Sequence, residues 1–116
     1  MKKELTPTSA VDIVAILSEE YIPQVQSYAA LGYSPTRIAN IIGLKGIAKD
    51  ALITAIRTVG SPYNETYHRG VALGELNIDT ELAKMAEAGD VDAIERLEER
   101  NDERVIRDLR RTLFGV

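Results

Sequence analysis

The chain has 116 residues, a net charge of −4, 45% apolar and 28% charged residues, the balance of a globular protein with one domain or two very small ones. Cysteine is absent and His68 is the only histidine, which excludes disulfides, thiolate metal sites and cysteine nucleophiles and leaves too few ligands for a His-based zinc centre. No apolar run approaches the roughly 18 residues of a membrane span, and no leader pattern points to secretion, so a cytoplasmic protein is expected. With five Tyr, one Phe and no Trp, the core must come from Leu, Ile, Val and Ala. Such a core is thin at this length, and self-association would help it.

Charge is unevenly spread. Residues 1–60 hold six basic against five acidic residues, whereas residues 61–116 hold eight against thirteen. An acidic chain is a poor general nucleic-acid binder, since affinity for phosphate comes largely from counterion release. Any DNA contact is therefore expected in the first half, from several copies acting together.

In chain order the sequence predicts helix after helix, punctuated by Gly and Pro. Residues 1–8 read as a loose start. Ser9 can cap a first helix with Asp12 three residues on, although the β-branched residues of 11–16 also allow a strand. Val11, Ile13, Val14, Ile16 and Leu17 make that segment apolar on more than one face, so it should be buried. Pro23 suits the first turn of a second helix carrying Val25, Tyr28, Ala29 and Leu31, which stops at Gly32. Ser34-Pro35 pairs a cap with a first-turn proline and starts a short third helix, ending at Gly43. A fourth helix runs to Val59, with Ala48, Ala51, Leu52, Ala55 and Val59 as its buried stripe. Lys49, Asp50, Ile53, Thr54 and Arg57 lie on its outer side.

Ser61-Pro62 repeats the cap-plus-proline start. The long helix that follows carries Tyr63, Tyr67 and Val71 at four-residue steps, with Gly70 and Gly74 on the next stripe. Two interior glycines cost about 1 kcal/mol each relative to Ala, so close approach of another backbone is a reason to keep them. A break near residues 77–79 is the alternative. Gly89-Asp90 ends one helix and caps the next, and the last helix places Ile94, Leu97, Val105, Leu109 and Leu113 in one seam. The expected fold is thus all-α: a helix-turn-helix domain over 1–60, then a helical hairpin over 61–116 that mediates self-association.

The helix-turn-helix expectation rests on Ile38-Ala39-x-x-Ile42-Gly43-Leu44. A small Ala39 permits close crossing, Gly43 makes the turn, and the apolar residues bury the corner. The sixth residue after the turn glycine, buried and apolar in the usual motif, is Lys49, with Ala48 just before it. The register of the last helix is thus open by one residue. Candidate DNA contacts are Arg37 and Asn40 on the short helix and Lys45, Lys49, Thr54 and Arg57 on or near the next, the cations serving mostly phosphate. Candidate subunit contacts are Tyr63, Tyr67, Gly70, Gly74, Ile94, Leu97, Val105 and Leu109.

The stretch Tyr28-Ala-Ala-Leu-Gly-Tyr-Ser-Pro-Thr-Arg-Ile-Ala-Asn-Ile-Ile-Gly-Leu resembles the N-terminal helix-turn-helix of bacteriophage small terminase subunits. Tyr63, Tyr67, Gly70, Gly74, Leu82, Ala86, Gly89-Asp90 and Ala93 resemble the helical segment that follows it in such DNA-packaging proteins. Together these cover residues 21 to about 97. The resemblance implies a ring-forming, non-catalytic subunit in the bacterial host cell. It would recognise double-stranded viral DNA and pass it to a large ATPase/nuclease subunit. The residues alone also allow a dimeric helix-turn-helix regulator or a helical adaptor that binds only protein.

Chemistry of other kinds finds little footing. Glu19-Glu20 and Glu98-Glu99 diverge on a helix, and no GxxxxGK[ST] phosphate loop is present. Asp79 with Glu81, or Asp90 with Asp92, could approach a cation but lack calcium-loop spacing. Asn64-Glu65-Thr66 has the form of a glycosylation acceptor, without a secretory context to use it. No catalytic residue, cofactor or metal site is therefore expected.

Overall fold

The computed structural model describes residues 6–115, with side chains from Val11 onward, so the first five residues of the expected loose start lie outside the described residues. Among the described residues there are six helices and no strand: α1 (Thr6–Leu17), α2 (Ile22–Ala30), α3 (Pro35–Ile42), α4 (Gly46–Arg57), α5 (Pro62–Glu87) and α6 (Val91–Phe114). The punctuation acts as the sequence predicts. Pro23 sits in the first turn of α2, Ser34 Oγ accepts the Arg37 N–H at 3.2 Å, and Gly43 takes the left-handed conformation at φ 98°. At the short turn between α5 and α6, Asp90 Oδ1 accepts the Ala93 N–H at 3.0 Å.

Several details differ from the expectation. α1 begins at Thr6, so Ser9 lies inside it and not at its start. Only Ile16 of α1 is buried, while Val11, Val14 and Leu17 are exposed. Leu31 and Ile41 are also exposed. α4 ends at Arg57, and Thr58 leaves it in extended conformation. Val59 therefore falls outside the helix and is 91% exposed, and Ile56, at 1%, takes its place in the core. α5 runs unbroken through residues 77–79.

The chain divides into two compact units, residues 1–75 and 76–116. The first reaches past the expected boundary at 60 because the first half of α5 packs on α2. A Cβ on Gly70 would meet the Gln26 carbonyl oxygen and stand 2.8 Å from Ala29 Cβ; one on Gly74 would meet the Ala30 carbonyl. Both glycines let two backbones touch. The core of this unit is Ile16, Val25, Ile38, Ala39, Leu44, Ala48, Leu52, Ile56 and Tyr63, with α4 packed on α1 and α3, and α2 on α3. Tyr63 accepts the Tyr21 N–H at 3.4 Å, and burial pushes its phenol up from the usual value.

The α4–α5 corner is stitched by two small polar side chains. Ser61 Oγ donates to the Ala55 carbonyl at 2.5 Å and accepts the Asn64 N–H at 3.0 Å. Asn64 Nδ2 donates to the Ile56 carbonyl at 2.8 Å. These side chains thus supply donors to the last carbonyls of α4, of which Ala55 also accepts the Thr58 N–H at 3.3 Å.

In the second unit, Asp79 of α5 ties to α6 by both oxygens. Oδ1 accepts from Arg100 Nε at 2.7 Å and Oδ2 from Arg104 at 2.5 Å. These side chains are largely shielded, Arg100 being 16% exposed. The Arg100 hydrogen bond, reinforced by Arg104, holds the Asp79 carboxyl below its ordinary range despite burial.

Candidate nucleic-acid interface

Ala39 and Ala48 are both fully buried, the first where α3 meets the turn and the second where α4 meets the core. Their size lets α3 and α4 approach closely around Gly43, whose N–H donates to the Ala39 carbonyl at 3.1 Å. The burial of Ala48 fixes the register that the sequence left open. Ala48, Leu52 and Ile56 face inward, and Lys49 lies at the flank, half-buried.

Five of the six expected DNA contacts are exposed: Arg37, Asn40, Lys45, Thr54 and Arg57. At about 100° per residue, Thr54 and Arg57 share the outer side of α4, and Lys49 is turned about 80° from Arg57 toward the packed side. Asp50 and exposed Ile47 share that outer side. One cation against one carboxylate makes the outer side of α4 nearly neutral, so most of the positive charge comes from Arg37, Lys45 and the flanking Lys49. Lys45 is the residue just before α4, in extended conformation, and its side chain makes no cap.

Arg37 is held in place by a partner that sequence reasoning missed. Its guanidinium lies 4.5 Å from the centroid of the Tyr33 ring, and Tyr33 stacks on Tyr28 with centroids 6.2 Å apart. Tyr67 of α5 donates to the Tyr33 carbonyl at 3.0 Å. The four-residue step from Tyr33 to Arg37 was the available signal.

The other candidates fall elsewhere. Tyr63, Gly70 and Gly74 are buried and Tyr67 half-buried, all engaged within the subunit by α2 and its neighbours. In the described structure this stripe is occupied by contacts within the first unit, Gly70 and Gly74 against α2 and Tyr67 against Tyr33. Ile94, Val105 and Leu109 of α6 are exposed and Leu97 is half-buried. Asp79 cannot approach a cation, since both its oxygens serve arginines, and Glu81 pairs with Lys84 at 3.6 Å. Among the described residues no cluster of His, Asp and Glu could hold a metal ion, and no helix is long and apolar enough to cross a membrane. His68 is exposed and meets Tyr67 edge-on.

Compared with protein-family models, curated proteins and solved structures, the chain gives no match.

Proposed function

We propose that the chain is a non-catalytic DNA-binding subunit that acts in several copies, using α3 and α4 as a helix-turn-helix. Its role would be that of the small terminase subunits it resembles: recognising double-stranded viral DNA as a cyclic oligomer and passing it to a large ATPase/nuclease subunit in the host cytoplasm. The observation that supports this reading best is the tight, glycine-turned corner between α3 and α4, with Arg37, Asn40 and Lys45 open to solvent near it and Thr54 and Arg57 open toward the far end of α4. So few cations give weak binding per copy, and repetition on one assembly raises the effective concentration. Apolar side chains left exposed along α6 supply a surface for that assembly.

The test is fluorescence anisotropy on a labelled duplex across a salt series. Binding is expected at low salt and should weaken steeply as salt rises. The Arg37→Ala, Arg57→Ala double variant should bind more weakly, with a salt slope shallower by about 0.9 for each phosphate it no longer neutralises. Absence of retention at the lowest salt, or a double variant that binds as the parent does, overturns the DNA reading and favours a protein-only adaptor.

A further inference from the structure

Each unit leaves one apolar surface open. On α1 it is Val11, Val14 and Leu17, at three-residue steps along one stripe and 67%, 64% and 77% exposed, while Ile16 turns into the core. Asp12 is the one charged residue of α1, and it lies off this stripe, accepting from the Tyr21 hydroxyl at 3.4 Å. In the second unit, Ala93 is the one apolar side chain fully buried among the described residues, so the α5–α6 hairpin has no core of its own. Asp79 against Arg100 and Arg104 marks the sides on which the two helices face each other. At about 100° per residue, Leu76 and Ala83 lie to one side of Asp79, and Ile94, Leu97 and Val105 lie in the same rotational sense from the two arginines. In an antiparallel pair those sides adjoin. The five residues therefore line one groove, with Thr80 and Asn101 at its middle and Leu76 and Val105 each 57% exposed. The groove on the other side of the hairpin is bordered by Arg96, Glu99 and Glu103.

We infer that the α1 stripe of one copy docks in the apolar α5–α6 groove of the next. A single helix ridge with anchors at three-residue steps, laid between two helices, is the helix-in-groove mode of recognition. Each surface exposes roughly 250–300 Å² of apolar side chain, so one junction covers about 500–600 Å² of it. That is near the apolar share of the smaller stable contacts, about 1,200 Å² in total with somewhat over half non-polar. The stripe is uncharged, so it sets no carboxylate against Glu98, which borders the groove. The two surfaces differ, and each junction leaves one of each kind open. Repetition about an axis therefore closes a ring and not a twofold pair. The inference rests on the multi-copy part of the reading above and not on DNA binding.

One-sided variants test it. Val14→Glu with Leu17→Glu, and separately Ile94→Glu with Val105→Glu, should each raise the dissociation constant of the assembly at least about tenfold, read by analytical ultracentrifugation, with helicity unchanged by circular dichroism. The first variant keeps its groove and the second keeps its α1 stripe, so an equal mixture should form a mixed pair and nothing larger. Cross-linking reads the same contact without added charge, and a chain without cysteine is convenient for it. A mixture of Val14→Cys and Ile94→Cys chains treated with a bis-maleimide should link one kind to the other. Links only between chains of one kind would mean like surface on like and would overturn the docking, as would a parent that stops at dimers. If the parent assembles but either Glu variant assembles as it does, or the mixture gives no mixed pair, the α1 docking is wrong while the multi-copy reading stands. If the parent is a monomer at all concentrations, both fail.

Discussion

Glu19 turns the chain out of α1 at φ 65°, a left-handed conformation that costs a residue with a Cβ about 1 kcal/mol or more. It stands where a glycine would ordinarily end the helix: its N–H donates to the Ile16 carbonyl at 3.0 Å and that of Glu20 to Ala15 at 3.0 Å. Glu19→Gly is therefore expected to stabilise the chain by about 1 kcal/mol in urea denaturation. A decrease in stability would show the carboxylate to be engaged, most directly in the shallow cleft it lines with Gln26, Glu65 and Arg69. Tyr33 acts in a similarly local way, as the surface on which Arg37 rests. Tyr33→Leu should leave the fold intact and weaken DNA binding in the same anisotropy assay.

At the level of helices, the two glycines of α5 separate propensity from packing. Helix propensity alone predicts that Gly70→Ala and Gly74→Ala each gain about 1 kcal/mol. Contact with the α2 backbone predicts the reverse, a destabilisation of about 1–3 kcal/mol or more for either, measurable by thermal denaturation. The Asp79 clamp gives α5 and α6 a pH dependence. Its folded pKa is depressed, so its stabilisation is present above the ordinary aspartate range and is lost as pH falls through the folded value. Helicity of the second unit should decline below about pH 4 in the parent. Asp79→Asn should be less stable at neutral pH, by on the order of 2 kcal/mol, with that acid step diminished. Helix starts and stops are legible in the sequence because Pro, Gly, Ser and Asp act locally, as at Ser34-Pro35, Gly43 and Gly89-Asp90. Which faces are buried is legible only in part. Val59 and Ile56 exchange places because one early helix end moves every later residue off the stripe. The Tyr63–Gly74 stripe announces a close contact, but no periodicity tells whether the neighbour is the same chain or another.

For the molecule as a whole, the described core is built from one Leu-, Ile-, Val- and Ala-rich cluster with a single buried tyrosine, while Val105, Ile106, Leu109, Leu113 and Phe114 stay exposed. Association, as proposed above, would add stability to a chain of this kind. If the copies associate as proposed, its melting temperature should fall by about 5 °C on hundredfold dilution, and a concentration-independent melt would overturn that part of the proposal. The proposed DNA contacts are the least legible at this scale. Cations can be counted along the sequence, but only the folded register reveals that Lys49 is drawn to the flank of α4 and that Asp50 offsets Arg57.

The stitched corner also decides how the protein can be made. Asn64 is the acceptor of an Asn-Glu-Thr sequence, yet its amide nitrogen is spent on the Ile56 carbonyl and Thr66 is only 7% exposed. A sugar attached there during passage through a eukaryotic secretory pathway would take one of the two hydrogens of that amide and wedge a bulky, hydrated group into a half-buried seat. Material carrying the glycan should be rapidly digested by trypsin, while the unmodified fraction of the same preparation resists, so bacterial expression is the route that keeps this joint closed.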